Sequence, residues 1–195
     1  PTELNVSFKG YCVWNVGFKE PKPYDVVCGS PMTIAKTGSS EKAALAITSL
    51  PPNKVTSWSI KILESERDDG ADIWIGVAPF DINWNYNEGH ERCGWYFYCG
   101  NSTLQSCPPH SYQGTEYDTR KRDRECVSTG DIVGVVMDTT KGELSFVVTG
   151  VNLGVAFEGI PLDKPLVPCV LLGWEGDSVE LDTIDVKENL SGFVP

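Results

Sequence analysis

The chain has 195 residues, 41% hydrophobic and 22% charged, with a formal net charge of -11 and a pI near 4.6. That length and apolar fraction suit one domain with a full core, and all-β sandwiches of this size fold as single units. So acidic a surface cannot displace counterions from phosphate or settle on an anionic bilayer, which argues against nucleic-acid and membrane-surface binding, and no apolar run of about 18 residues or secretion-signal pattern is present.

In chain order, the first half reads as short strands with weak punctuation. Val6–Phe8 and Tyr11–Val16 form an opening pair around Lys9-Gly10, Tyr24–Gly29 and Met32–Ala35 continue it, and Lys36–Glu41 is a turn or loop. Glu41–Leu50 has some helical propensity, but Pro51-Pro52 truncates it and the next element is β, so Ala43–Thr48 is read as a strand. Trp58–Ile62, Ile73–Ala78 and the aromatic Gly94–Tyr98 follow. After an insert from Ser102 to Cys126, Gly130-Asp131 opens an alternating run, Ile132–Asp138, which turns at Thr139–Gly142 and returns through Glu143–Val148. Thr149–Asn152 turns the chain into Leu153–Phe157, and Pro165–Leu172 supplies another strand. Two antiparallel sheets packed face to face would bury the alternating apolar residues of all these pieces.

This order of pieces resembles the SPRY family. Gly130–Asp138 is similar to its GD-x-(I/V)-G-V-x-x-D segment, Glu143–Phe146 to its ELSF strand, Gly154–Phe157 to GVAF and Pro165–Pro168 to PLxP. Upstream, Trp58–Ile62, Ile73–Ala78 and Gly94–Tyr98 resemble the family's (Y/W)xxEV, W-x-x-G-(V/L)-A and aromatic strands, so the match runs from Trp58 to Leu181. The resemblance implies an all-β fold: an antiparallel two-sheet β-sandwich, SPRY-type, with a concanavalin-like jelly roll. It implies one SPRY-type domain over residues 1–195, and the start at Pro1 suggests a piece cut from a longer protein.

Seven cysteines, an odd and irregularly spaced set, do not form the even framework of a disulfide-stapled module. Cys12, Cys28, Cys169 and Cys99 fall in apolar runs, where a reduced thiol behaves as a small hydrophobe. A reducing, cytoplasmic setting is the simpler account. The sequons at Asn5, Asn101 and Asn189 matter only in the secretory path.

Function is expected in the connections. The segment from Pro79 to Arg92 carries Phe80, Trp84 and Tyr86 among Asn and Gly, and large rings dominate binding hot spots because they bury much area at little entropic cost. Either Trp84 and Tyr86 bind a partner or they fold back on the sandwich edge. Trp174, in Leu172–Gly176, resembles the tryptophan with which SPRY proteins carrying a SOCS box line a peptide pocket, with Glu175 where that group has glycine. The position carries over and the peptide preference does not; alternatively Trp174 plugs an end of the sandwich. Tyr112 and Tyr117 complete the aromatic candidates.

His90-x-x-Cys93 and Cys107-x-x-His110 have the donor chemistry for tetrahedral zinc, but their order is inverted relative to known zinc motifs and Pro108-Pro109 splits the second pair. The expectation is no metal and no cofactor. Arg120–Glu125 carries its own acidic residues and reads as a solvated loop rather than an anion site. There is no nucleophile elbow and no phosphate-cradling glycine loop, so no enzyme is expected.

The resemblance thus implies a non-catalytic protein-protein interaction module, monomeric, that binds a short peptide segment through loops at one end of the sandwich. SPRY domains commonly recruit partners for larger intracellular proteins, ubiquitin ligases included. The alternative is a lectin-like carbohydrate binder, since exposed Trp and Tyr also stack on sugars.

Overall fold

A computed structural model describes residues 14–16, 24–26, 33–36, 42–46, 49–66, 70–80, 94–106, 115–117 and 126–187. Strict alternation shapes one sheet. In β5 (Val55–Glu64), Thr56, Trp58, Ile60 and Ile62 are buried while Val55, Ser57, Ser59 and Lys61 face outward. β10 (Ile132–Asp138) and β11 (Glu143–Val148) repeat the pattern, burying Val133, Val135 and Met137, then Leu144, Phe146 and Val148. A sheet with one dry and one wet face demands this period of two.

β12 (Val151–Phe157), β14 (Ser178–Lys187), β3 (Thr33–Lys36) and β2 (Tyr24–Val26) complete this sheet, in the order β12-β11-β10-β5-β14-β3-β2. Thr149 and Gly150, with φ of 49° and 83°, are the two central residues of the β11–β12 hairpin. Positive φ at both positions is what a tight twisted hairpin turn requires. β12 accordingly starts at Val151, two residues before the sequence-based boundary.

The other sheet has the order β1-β4-β13-β6-β7-β8-β9, built from β1 (Trp14–Val16), β4 (Lys42–Ala46), β13 (Leu166–Leu172), β6 (Ile73–Pro79), β7 (Trp95–Tyr98), β8 (Thr103–Ser106) and β9 (Thr115–Glu116). Its central strands are continuous apolar runs because both faces are buried. Ile73, Ile75, Val77, Phe97, Val170 and Leu172 point into the main core between the sheets. Trp74, Ala78, Tyr96, Val167, Cys169 and Leu171 form a second buried cluster on the opposite face, where Trp74 stacks on Tyr98 at 4.6 Å. Buried Cys169 has its thiol pKa pushed up to about 12, chiefly by desolvation, and so behaves as a small hydrophobe.

All described regular structure is β, and all described strand pairs are antiparallel. Lys42–Ala46 is a strand, as the proline pair downstream indicated. β1 pairs with β4, and its expected partner Val6–Phe8 lies outside the described residues. The insert from Ser102 to Cys126 supplies β8 and β9, two strands that its mixed polar sequence did not announce.

Candidate functional site

The connection from β13 to β14, Gly173–Asp177, carries a large exposed ring on a tightly held backbone. Asp177 is fully buried and organises the turn. Its carboxylate accepts the Trp174 N–H at 2.9 Å on Oδ2 and the Glu66 N–H at 3.2 Å on Oδ1. Its own N–H donates to the Trp174 carbonyl at 3.2 Å. The end of β3 closes the turn from the other side: the Lys36 N–H donates to the Asp177 carbonyl at 2.9 Å and the Gly176 N–H to the Lys36 carbonyl at 3.0 Å. The buried Lys36 ammonium donates to the Gly173 carbonyl. Gly173 N–H donates to the Asp72 carbonyl at 2.8 Å, and the Tyr98 hydroxyl donates to Asp72 Oδ1 at 2.7 Å.

Glycine is required at Gly176, where φ is +97° and a Cβ would lie 2.7 Å from Glu66 Oε1. The Asp177 carboxyl is pushed above the ordinary aspartate value, first by burial. The Trp174 and Glu66 N–H donors oppose that shift, Asp72 adds to it and Lys36 opposes it. Above this anchored turn the Trp174 side chain remains 51% exposed, with Glu175 and Glu66 also exposed.

The other candidates fall elsewhere. Phe80, 49% exposed, follows β6 and donates its N–H to the Pro165 carbonyl at 2.9 Å. In the β6–β13 ladder Pro79 pairs with Leu166 and Ile73 with Leu172. Phe80 and Trp174 therefore stand at opposite ends of that ladder, about 20 Å apart at roughly 3.3 Å per residue. The register separates what the sequence reading placed at one end. The stems of the Asp81–Cys93 segment, Phe80 and Gly94, both lie at the Phe80 end, since Val77 pairs with Trp95.

Trp84, Tyr86 and Tyr112 lie outside the described residues, as do His90, Cys93, Cys107, His110 and the Arg120–Glu125 run. Among the described residues no group of three or more His, Cys, Asp or Glu is placed to hold a metal. Tyr117 is a core residue rather than a surface anchor. It is 5% exposed, packs edge-on against Phe97 and Phe146 with centroids 6.2 Å away, and donates its hydroxyl to the Gly154 carbonyl.

Lys36, Glu66, Asp72, Tyr98 and Asp177 are site residues that sequence reasoning missed. The Gly-Trp-Glu-Gly-Asp run did carry a signal for Asp177, since two glycines and an aspartate mark a tight turn with a side-chain acceptor. The other four arrive from distant parts of the chain and left no local trace.

A two-sheet antiparallel sandwich with a rigid, ring-bearing turn at one end defines a β-sandwich domain whose connections are free to specialise. The SPRY domain family model matches residues 55–183, well over half of the chain, and the chain belongs to the SPRY family. No curated protein matches it in sequence. Among solved structures it is similar to the SPRY domain of human HERC1, with 19% identity and a TM-score of 0.58 over 78% of this chain and 88% of that one. A human SPRY domain matches at 16% identity and TM-score 0.59, covering 82% and 94% of the two chains. The TRIM65 PSpry domain matches at 16% identity and TM-score 0.58, covering 82% and 85%. At such identities these structures speak to the fold. SPRY domains as a family are generally protein-interaction modules and generally non-catalytic.

Proposed function

We propose that this domain is a non-catalytic module that binds a short peptide segment of a partner protein at the Trp174 turn, as the recruiting part of a larger protein. The observation that carries this reading is the half-exposed indole on a backbone tied down from three other segments, those holding Lys36, Glu66 and Asp72, with Asp72 bonded in turn by Tyr98. A turn that only carried a ring in water would have no packing reason to be anchored so firmly. A ring on a pre-ordered backbone, however, buries ligand area with no further cost of ordering the main chain, which is where binding energy concentrates. Tyr98, half-buried and bonded to Asp72, sits at the end of β7 on the same side of the ladder as the turn.

The test is selection from a random peptide library on the wild-type domain, followed by affinity measurement on Trp174→Ala. Removing an exposed side chain should shift stability by no more than about 0.5 kcal/mol, so equal thermal transitions are expected. Binding should weaken by at least about tenfold, as for a hot-spot ring worth 1.4 kcal/mol or more. Peptides that bind both proteins equally, or a domain that selects glycans and no peptides, would overturn the assignment.

A further inference from the structure

Resting on that reading, we propose that the segment gripped at the Trp174 turn presents a basic side chain, arginine in preference to lysine, whose cation stacks on the indole between flanking carboxylates. The turn that carries the ring is bordered by acid. Glu175 follows it directly and is exposed. The Glu66 carboxylate lies beside Gly176, with Oε1 2.7 Å from where a Cβ on that glycine would stand. The Asp72 carboxylate lies beside Gly173 in the same sense, 2.3 Å from its notional Cβ. Asp177 sits beneath.

Against these four carboxylates the described residues set one ammonium, that of Lys36, which is 2% exposed and committed to the Gly173 carbonyl. Among the described residues no ion pair reaches Glu66, Asp72 or Glu175.

An electron-rich indole face on a turn bordered by carboxylates is complementary to a cation and repels an acidic side chain. Arginine fits better than lysine because its planar guanidinium can stack on the ring and still direct N–H groups at the carboxylates of the turn. The net charge of -11 extends the same preference to long range, since it steers basic segments toward the domain.

The probes are four synthetic peptides, acetyl-Gly-Ser-Gly-X-Gly-Ser-Gly-amide with X as Arg, Lys, Leu or Glu. The domain is labelled with 5-fluorotryptophan, and the Trp174 fluorine resonance is identified by its loss in Trp174→Phe. Expected is a saturable shift of that resonance with the Arg peptide, a weaker response to Lys and none to Leu or Glu. Glu66→Gln with Glu175→Gln should weaken the Arg response by about threefold or more, since each exposed charge pair contributes some tenths of a kcal/mol, and added salt should weaken it likewise.

An equal response to Leu and Arg, or an Arg response unchanged by the double substitution, overturns the basic-partner inference. So does a set of Trp174-dependent library peptides without basic residues, although that result leaves the peptide site standing. Library peptides indifferent to Trp174→Ala would instead remove the site itself, so the two failures are separable.

Discussion

Thr56 is buried completely, and its Oγ1 is the buried side-chain oxygen that, among the described residues, has no hydrogen-bond partner. Folding strips that hydroxyl of water and returns nothing, so Thr56→Val should raise stability by about 1 kcal/mol, read as a higher urea midpoint with an unchanged m-value. Asp177 is the opposite case, a buried acceptor with both oxygens in use. Asp177→Ala leaves the Trp174 and Glu66 N–H groups without their acceptor and should cost about 1–3 kcal/mol, with a red-shifted and broader Trp174 emission as the turn loosens. The pH dependence follows from the direction of the Asp177 shift. A carboxyl whose folded pKa is raised stays protonated in the folded state after the unfolded chain has lost its proton. Its stabilising contribution is therefore complete below the ordinary value of 3.8 and falls as pH rises through the folded pKa. Denaturation of wild type and Asp177→Asn across the acid range should show the wild type losing ground to the variant as pH rises from 3.8 toward neutrality. A difference that stays flat, or runs the other way, would contradict the shift.

At the scale of elements, β6 shows how closely two strands can be forced together. A Cβ on Gly76 would lie 1.9 Å from the Trp95 carbonyl oxygen and 3.0 Å from the Tyr96 Cα, both backbone atoms of the neighbouring strand. Neither can swing aside as a side chain could. Gly76→Ala must therefore part β6 from β7, and a loss of at least about 3 kcal/mol, or failure to fold, is expected in chemical denaturation. Gly76 was visible in the sequence only as part of the Trp-x-Gly-Val-Ala pattern, which indicated a strand without indicating the clash. The alternating strands β5, β10 and β11 were legible because each residue's environment is set by the simple in-and-out pleat. β8 and β9 were not, because short strands of Thr, Leu, Gln, Ser and Glu become strands only by pairing with an edge that already exists. The site was legible to the same degree. Trp174 stood out as a ring in a turn, but its separation from Phe80 depends on the antiparallel register of β6 with β13, strands about 90 residues apart in the chain.

The insert also acts on the whole molecule, because it links the two sheets at their margins. β9 is the last strand of one sheet and β12 the last strand of the other. Tyr117, one residue beyond β9, buries its ring against Phe97 of the first sheet and Phe146 of the second, and its hydroxyl donates to the Gly154 carbonyl on β12. One side chain thus fastens the margins of a sandwich that are open to water in a free sheet. Tyr117→Phe keeps the ring and removes the hydroxyl, so at neutral pH it should cost about 1 kcal/mol, the net worth of a hydrogen bond whose acceptor is left wanting. In alkali the order should change. The Tyr117 pKa is pushed up to about 12 from 10.0, first by burial and with partial offset from backbone hydrogen bonding at Phe146. The unfolded chain gives up the phenolic proton earlier than the folded one, so this group's contribution is whole below 10.0 and drains away as pH rises toward about 12. Phenylalanine has no proton to lose. Guanidinium denaturation of the two proteins at neutral pH and again between 10.0 and about 12 should show the wild-type advantage shrinking and then reversing. A constant gap across that window would mean that the Tyr117 hydroxyl is not held in the buried, hydrogen-bonded position that joins the two sheets.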